Sequence, residues 1–149
     1  MRTKIVIGLS AVVAILTWTC VACAPTATTA SKAQLPNGET VWDLSGDWDA
    51  FVENYGPAAR FGIFPTVWRL TQTGNTVTAI RLKDSPPPGV GRAGGPSLQG
   101  ELETTGFKRV QIVFGSGGRV LPTTGHISED GKKIIVDNGL YIRVTLTRP

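Results

Sequence analysis

Residues 68–82 read Trp-Arg-Leu-Thr-Gln-Thr-Gly-Asn-Thr-Val-Thr-Ala-Ile-Arg-Leu and carry the clearest structural signal in the chain. Apolar and polar residues alternate on both sides of Gly74-Asn75, the pattern of two strands that each bury one face. Glycine and asparagine tolerate positive φ, so this dipeptide favours the two-residue turn of a β-hairpin. The stretch therefore predicts two adjacent antiparallel strands.

The same alternation recurs from Gly46 to Arg148, with short glycine-marked turns between the runs. Such short connections make neighbours in sequence neighbours in the sheet. No apolar period typical of a helix occurs outside the N-terminal segment. The predicted strands lie near Gly46–Val52, Phe64–Thr73, Thr76–Lys83, Pro96–Thr104, Lys108–Gly115, Thr123–Ser128, Lys132–Asp137 and Leu140–Thr147.

These eight runs predict an all-β fold, an eight-stranded antiparallel up-and-down barrel. Closure buries the apolar face of the sheet and removes its exposed edges. An open sheet covered by residues 41–44 and a two-sheet sandwich are the alternatives. Pro122 predicts a bulge or a late strand start, because proline cannot donate a ladder hydrogen bond.

The N-terminus has the order of a secretory signal. Arg2 and Lys4 precede an uncharged, mostly apolar run over residues 5–24. Its end resembles a bacterial lipobox with Cys23 as the lipidated residue, although Cys20 stands where an aliphatic residue is usual. Cleavage by an ordinary signal peptidase and retention as an uncleaved membrane anchor are the alternatives. All three predict export, in a bacterium to the cell envelope.

We therefore divide the chain into a signal or lipobox segment (1–23), a flexible tether (24–41) and a barrel domain (42–149). The tether is predicted from small polar residues that offer nothing to bury, such as those of 25–33. No cysteine follows residue 23. The barrel is thus expected to be stable without disulfides.

The charge of the exported part is close to neutral. Of the 15 lysines and arginines, Arg2 and Lys4 lie in the signal, which leaves 13 against 11 aspartates and glutamates. The basic residues are scattered over the strands and do not cluster in a patch. This distribution argues against nucleic acid as a partner.

A family resemblance rests on the two ends of the predicted barrel. Gly46-Asp47-Trp48 resembles the Gly-x-Trp signature of the calycin barrels, which include lipocalins, avidins and small bacterial metalloprotease inhibitors. In that group a basic residue near the C-terminus packs across the tryptophan, and Arg148 is placed to do so. The resemblance implies a barrel closed at one end by Gly46, Trp48 and Arg148.

The predicted ligand site lies in the long connection after the first barrel strand. It carries Tyr55 and Phe61, with Phe64 and Trp68 just beyond. Aromatic residues in a loop form a lid, a contact surface or a cap on the core. In up-and-down order this loop shares one end of the barrel with the proline-rich loop 84–96, and we expect the open mouth there.

No set of residues points to catalysis, a cofactor or a metal. His126 is the only histidine, and it has no ligand partners at metal-binding spacing. The serines lack a Gly-x-Ser-x-Gly context. Gly89-Val-Gly-Arg-Ala-Gly94 precedes a predicted strand instead of a helix, so it does not indicate nucleotide binding. We expect a protein that is not an enzyme.

Two functions fit these features. One is a lipid-anchored binding module for a small apolar or amphipathic ligand at the barrel mouth. The other is an envelope barrel that binds a protein through residues 33–42, as a metalloprotease inhibitor does. A structural lipoprotein with a filled core is the remaining alternative. Whether the barrel interior is hollow or filled distinguishes the ligand-binding module from the structural lipoprotein.

Overall fold

The computed structural model of the chain describes residues 30–86, 91–115 and 118–149. The predicted signal segment, Cys23 and the first part of the tether lie outside these residues. The strands are β1 (Lys32–Gln34), β2 (Thr40–Trp42), β3 (Gly46–Asn54), β4 (Ile63–Thr73), β5 (Thr76–Arg81), β6 (Pro96–Glu103), β7 (Gly106–Phe114), β8 (Arg119–Ile127), β9 (Lys133–Asp137) and β10 (Ile142–Thr147). A short 3₁₀ helix, Gly56–Phe61, connects β3 to β4.

Strands β3 to β10 form a closed antiparallel barrel in simple up-and-down order. Each strand pairs with its neighbours in sequence, and β10 closes the barrel by pairing with β3, from Ile142 opposite Asn54 to Thr147 opposite Asp49. The predicted eight-stranded barrel is therefore confirmed. Closure leaves no unpaired edge among these strands.

The barrel interior is filled by side chains. Inward-facing residues at every second position of the strands form one apolar cluster, and Trp48, Leu98, Ile134 and Leu146 within it are fully buried. A close-packed interior of this kind leaves little space for a ligand.

One end of the barrel, which we call the base, is closed by Trp48. The ring is buried, and its Nε1 donates a hydrogen bond to the carbonyl oxygen of Leu44 at 2.9 Å. Arg148 lies across the ring, with its guanidinium carbon 4.9 Å from the ring centroid, and donates to the carbonyl oxygen of Asp43. Leu44 N in turn donates to the side chain of Gln72 at 2.8 Å. These contacts bind both ends of the barrel sequence together.

The N-terminal hairpin β1–β2 packs against the base. Val41 is fully buried, and Ala33 and Leu35 pack on the barrel core. The hairpin spans residues 32–42, most of which were expected to belong to a flexible tether (24–41), whereas the structure places them in two strands and a turn. Its strands are only three residues long. They are stabilised by contact with the barrel rather than by a strong local pattern.

Pro122 lies inside β8, opposite Gln111 of β7, and neither delays nor bulges the strand. Its carbonyl oxygen accepts a hydrogen bond from Asn138 Nδ2 at 3.1 Å. The backbone of Pro122 therefore faces the β9 side, where pairing begins only at Thr124. The missing N–H costs no ladder hydrogen bond, and this explains why the predicted irregularity does not occur.

Candidate functional site at the barrel mouth

The end opposite the base, which we call the mouth, carries the connections β3–β4, β5–β6, β7–β8 and β9–β10. The alternating direction of the strands places these connections together. The loop with Tyr55 and the proline-rich loop after Arg81 thus share one end, as the sequence analysis predicts. Gly74-Asn75 lies at the base.

Inside the mouth there is a cavity of only about 30 Å³. Phe64 and Trp68 line it, together with Asn54, whose buried Oδ1 has no hydrogen-bond partner within the described residues. Such a volume holds one or two water molecules. Two of the four predicted ligand-binding residues, Phe64 and Trp68, are therefore buried side chains of the core, 7% and 3% exposed.

A larger hollow, the apolar depression, lies on the outer side of the mouth beside Phe61. It measures about 160 Å³ and lies between the 3₁₀ helix, the end of β7 and the start of β8. Phe61 meets Phe114 edge to face, with ring centroids 5.6 Å apart. Leu121, Pro57 and Ala58 complete the apolar lining. This volume matches the engineered cavity of about 150 Å³ that binds benzene.

Two arginines border the apolar depression. The guanidinium carbon of Arg60 lies 4.9 Å from the ring centroid of Phe61, and Arg119 lies opposite Phe114 in the β7–β8 pair. Both are exposed, and neither belongs to an ion pair among the described residues. The depression thus combines an apolar floor with a positively charged border.

Tyr55 lines neither hollow and instead joins the β3–β4 loop to β9. Its hydroxyl donates to Asp137 Oδ1, which also accepts from Gly139 N at 2.7 Å. Arg143 Nε donates to Asp137 Oδ2 at 2.8 Å. Burial acts to raise the pKa of Asp137, but these hydrogen bonds outweigh it and hold that pKa below its usual value. Tyr55 therefore holds the loop in place.

Arg81 at the end of β5 is the most unusual side chain at the mouth. It points into the barrel and is 7% exposed. Its Nε donates to Ser97 Oγ at 3.0 Å, and its Nη2 donates to the carbonyl oxygens of Pro96 and Val113 at 3.4 Å. All three acceptors are neutral. Burial lowers the pKa of this guanidinium from its usual value.

No carboxylate pairs with Arg81. All 11 aspartates and glutamates of the chain lie in the residues that the structure describes, and none of the four ion pairs there includes this arginine. Arg81 is not among the site residues predicted from the sequence. The signal was present, because Val77, Ala79 and Arg81 share the inward face of β5, where a charged residue is unexpected.

Within residues 30–86, 91–115 and 118–149, no three His, Cys, Asp or Glu side chains are placed to hold a metal ion. The same residues contain no helix that is long and apolar enough to cross a membrane. Comparison of the chain with protein-family models, curated proteins and solved structures found no match.

Proposed function

We propose that this protein is a binding module that holds a small amphipathic molecule at the mouth of the barrel, in the apolar depression beside Phe61. The observation that carries the proposal is a benzene-sized hollow with an aromatic floor on the surface of a barrel whose interior is filled. The ligand rests on the mouth and does not enter the barrel.

The apolar part of the ligand is limited by the size of the depression. About 160 Å³ accommodates one aromatic ring or a short acyl chain. A long fatty acid extends well beyond this space. We therefore propose contact with Phe61, Phe114 and Leu121, where burial of apolar surface contributes roughly 25 cal/mol per Å².

The polar part of the ligand is proposed to be negatively charged. Arg60 and Arg119 border the depression, and the described structure supplies neither with a carboxylate partner. A guanidinium binds a carboxylate through charge-assisted hydrogen bonds. An aromatic or short-chain carboxylate fits both features, because its apolar part packs on the floor and its charge lies beside the two arginines.

Titration of the purified barrel domain with 2-naphthoate, followed by fluorescence anisotropy, tests this proposal. We expect saturable binding that hexanoate displaces. Phe61→Ala is expected to weaken binding about fivefold, because an aromatic contact contributes about 1 kcal/mol.

Phe51→Ala is the matched control. Phe51 is also a partly exposed phenylalanine, 45% exposed, but it lies on the outer face of β3 opposite Pro65. This variant is expected to bind 2-naphthoate like the wild type. An equal loss in both variants, or a signal that does not saturate, would contradict the proposal.

A second candidate is a protein-interaction barrel, and the outer face of β3 and β4 favours it. Phe51 and Ile63 are 45% and 62% exposed there, and Pro65 lies between them. Exposed apolar side chains that are grouped in this way are typical of contact surfaces. Crosslinking from position 63 in an envelope extract tests this candidate, which fails if no specific partner is captured.

The proposal includes export, lipidation of Cys23 and a calycin-like identity. The basic, apolar and small-residue order of the first 23 residues supports export. The Gly46-x-Trp48 pattern, with Arg148 across the ring, supports the calycin-like identity. The module is thus proposed to work outside the cytoplasm on the end of a lipid anchor.

A further inference from the structure

We propose that Arg81 and Arg92 form a second binding site at the mouth, for the oxyanion group of a small molecule, either a carboxylate or a phosphate. This site involves residues other than those of the apolar depression. It does not depend on whether that depression binds a ligand.

Arg81 carries a buried charge that no carboxylate side chain in the described residues compensates. A buried charge is normally paired, because removal from water is costly when no opposite charge compensates for it. Arg81 is almost fully buried, and the hydrogen bonds that the structure gives it go to neutral oxygen atoms. Every carboxylate side chain of the protein is in the described residues, and none pairs with it. An external anion would supply the missing charge.

Arg81 also lines an opening to solvent. This opening measures about 370 Å³ and is bordered by Arg92 and by the glycines Gly91, Gly95 and Gly118. Arg92 is exposed and lies in the same opening. Two guanidinium groups that share one opening provide the planar donors that bind carboxylate and phosphate oxygens.

Arg81 approaches the backbone of Gly91 closely. A Cβ atom on Gly91 would lie 1.4 Å from Arg81 Nη1. The guanidinium therefore occupies the space that the side chain of any other residue at position 91 would need. The loop is fixed in this position by the hydrogen bond from Ser85 N to the Gly91 carbonyl oxygen at 2.8 Å, and by that from Gly94 N to the Arg81 carbonyl oxygen at 2.8 Å. The backbone at Gly91 thus packs directly against Nη1 beside the opening.

The acidic residue of this loop does not neutralise the site. Asp84 is exposed, and its Oδ1 accepts a hydrogen bond from Ala93 N at 2.7 Å. It forms no ion pair with either arginine in the part of the chain that the structure describes. The opening therefore keeps its positive charge.

The test follows the Nε–Hε resonances of the arginine side chains by NMR during titration with inorganic phosphate, with acetate and with chloride at matched ionic strength. We expect the Arg81 resonance to shift saturably with phosphate or acetate and not with chloride. The two oxyanions distinguish a phosphate site from a carboxylate site. Arg69, which pairs with Asp47, is the internal reference that does not shift.

Three variants test how much each residue contributes to oxyanion binding. Arg81→Met removes the buried charge and is expected to weaken oxyanion binding tenfold or more. Because this variant lacks the Arg81 resonance, binding is followed through the backbone amide resonance of Gly91. Arg92→Gln is expected to weaken it about two- to fivefold, because one exposed charge contact is lost. Gly91→Ala retains both charges but displaces Nη1, and it is expected to abolish saturation. Arg109→Gln is the control, because Arg109 is exposed and pairs with Glu101. This variant is expected to bind the oxyanion like the wild type.

The two proposals can fail separately. Phe61→Ala is expected to leave oxyanion binding within twofold of the wild type, and Arg81→Met to leave 2-naphthoate binding within twofold. Shifts that chloride reproduces, or shifts that remain linear to high concentration, would overturn the oxyanion site. If Arg81→Met does not fold, the other two variants decide. Oxyanion binding that is unchanged in both Arg92→Gln and Gly91→Ala would equally overturn the oxyanion site.

Discussion

Trp48 joins the beginning and the end of the barrel sequence at a single side chain. It is fully buried, its Nε1 donates to the Leu44 carbonyl oxygen, and Arg148 stacks on its face. Few residues carry a packing contact, a hydrogen bond and a cation–π contact at once. The base of the barrel depends on this one ring.

Trp48→Ala is expected to lower the free energy of unfolding by about 3–5 kcal/mol, because it removes a large core side chain and leaves a cavity. Urea denaturation of the purified barrel domain measures this change. Phe51→Ala on the same strand is the control and is expected to cost much less, since Phe51 is 45% exposed. A similar midpoint for Trp48→Ala and the wild type would contradict the role of the ring.

The contrast between Trp48 and Arg81 shows what sequence can predict at the scale of single residues. The Gly46-x-Trp48 pattern and a terminal arginine are visible in the sequence, and both lie at the base. The position of Arg81 on an inward face is also visible. Its lack of a carboxylate partner depends on distant loops and becomes clear only when all 11 acidic residues are placed.

At the scale of elements, the turns account for most of the agreement between sequence and structure. The φ of Gly74 is +60°, whereas the φ of Asn75 is not positive. This is the pattern of a type II′ turn between Thr73 and Thr76. Such a signal is local, so four residues suffice to predict it. The β1–β2 hairpin lacks a comparable signal, because its stability comes from packing of Val41 on the barrel.

Gly131 connects the β8–β9 turn to this hairpin and offers a sharp test of the contact. Its φ is +67°, and a Cβ atom there would lie 2.6 Å from Ala30 Cβ and from the Trp42 ring. Gly131→Ala is expected to destabilise the fold by about 2–5 kcal/mol, which combines backbone strain with overpacking. Thermal or urea unfolding gives the value.

Gly139→Ala provides the comparison for that prediction. Gly139 has a similar φ of +76°, but no atom lies within 4 Å of a Cβ built on it. Only the backbone term of about 1–2 kcal/mol applies there. If the two variants were equally stable, the hairpin would not be packed against the turn as described.

For the whole molecule, the barrel was predictable because eight alternating runs with short connections leave few arrangements. The proposed binding surfaces were less predictable. Phe61 was a candidate from its place in a loop, but its partners Phe114 and Leu121 come from other strands. Whether the interior was filled depended on the fit of many side chains in three dimensions, which alternation alone does not determine.

The proposed lipidation of Cys23 concerns the whole molecule and can be tested by mass spectrometry. When the full chain is produced in a bacterial host, Cys23→Ala is expected to abolish the acylated product and release the protein from the membrane fraction. Cys20→Ala is the control and is expected to leave acylation intact. Intact mass spectrometry and fractionation read out both variants, and acylation that persists in Cys23→Ala would contradict the assignment.

The position of the N-terminal hairpin at the base determines how the barrel would be oriented by the proposed lipid anchor. Ala30 and β1 are packed at the end of the barrel that lies farthest from Arg81 and Phe61. If Cys23 carries a lipid, as proposed, the attachment point precedes Ala30 and lies on the base side of the barrel. In that arrangement both arginine-bordered hollows would face away from the bilayer, toward dissolved solutes rather than lipids.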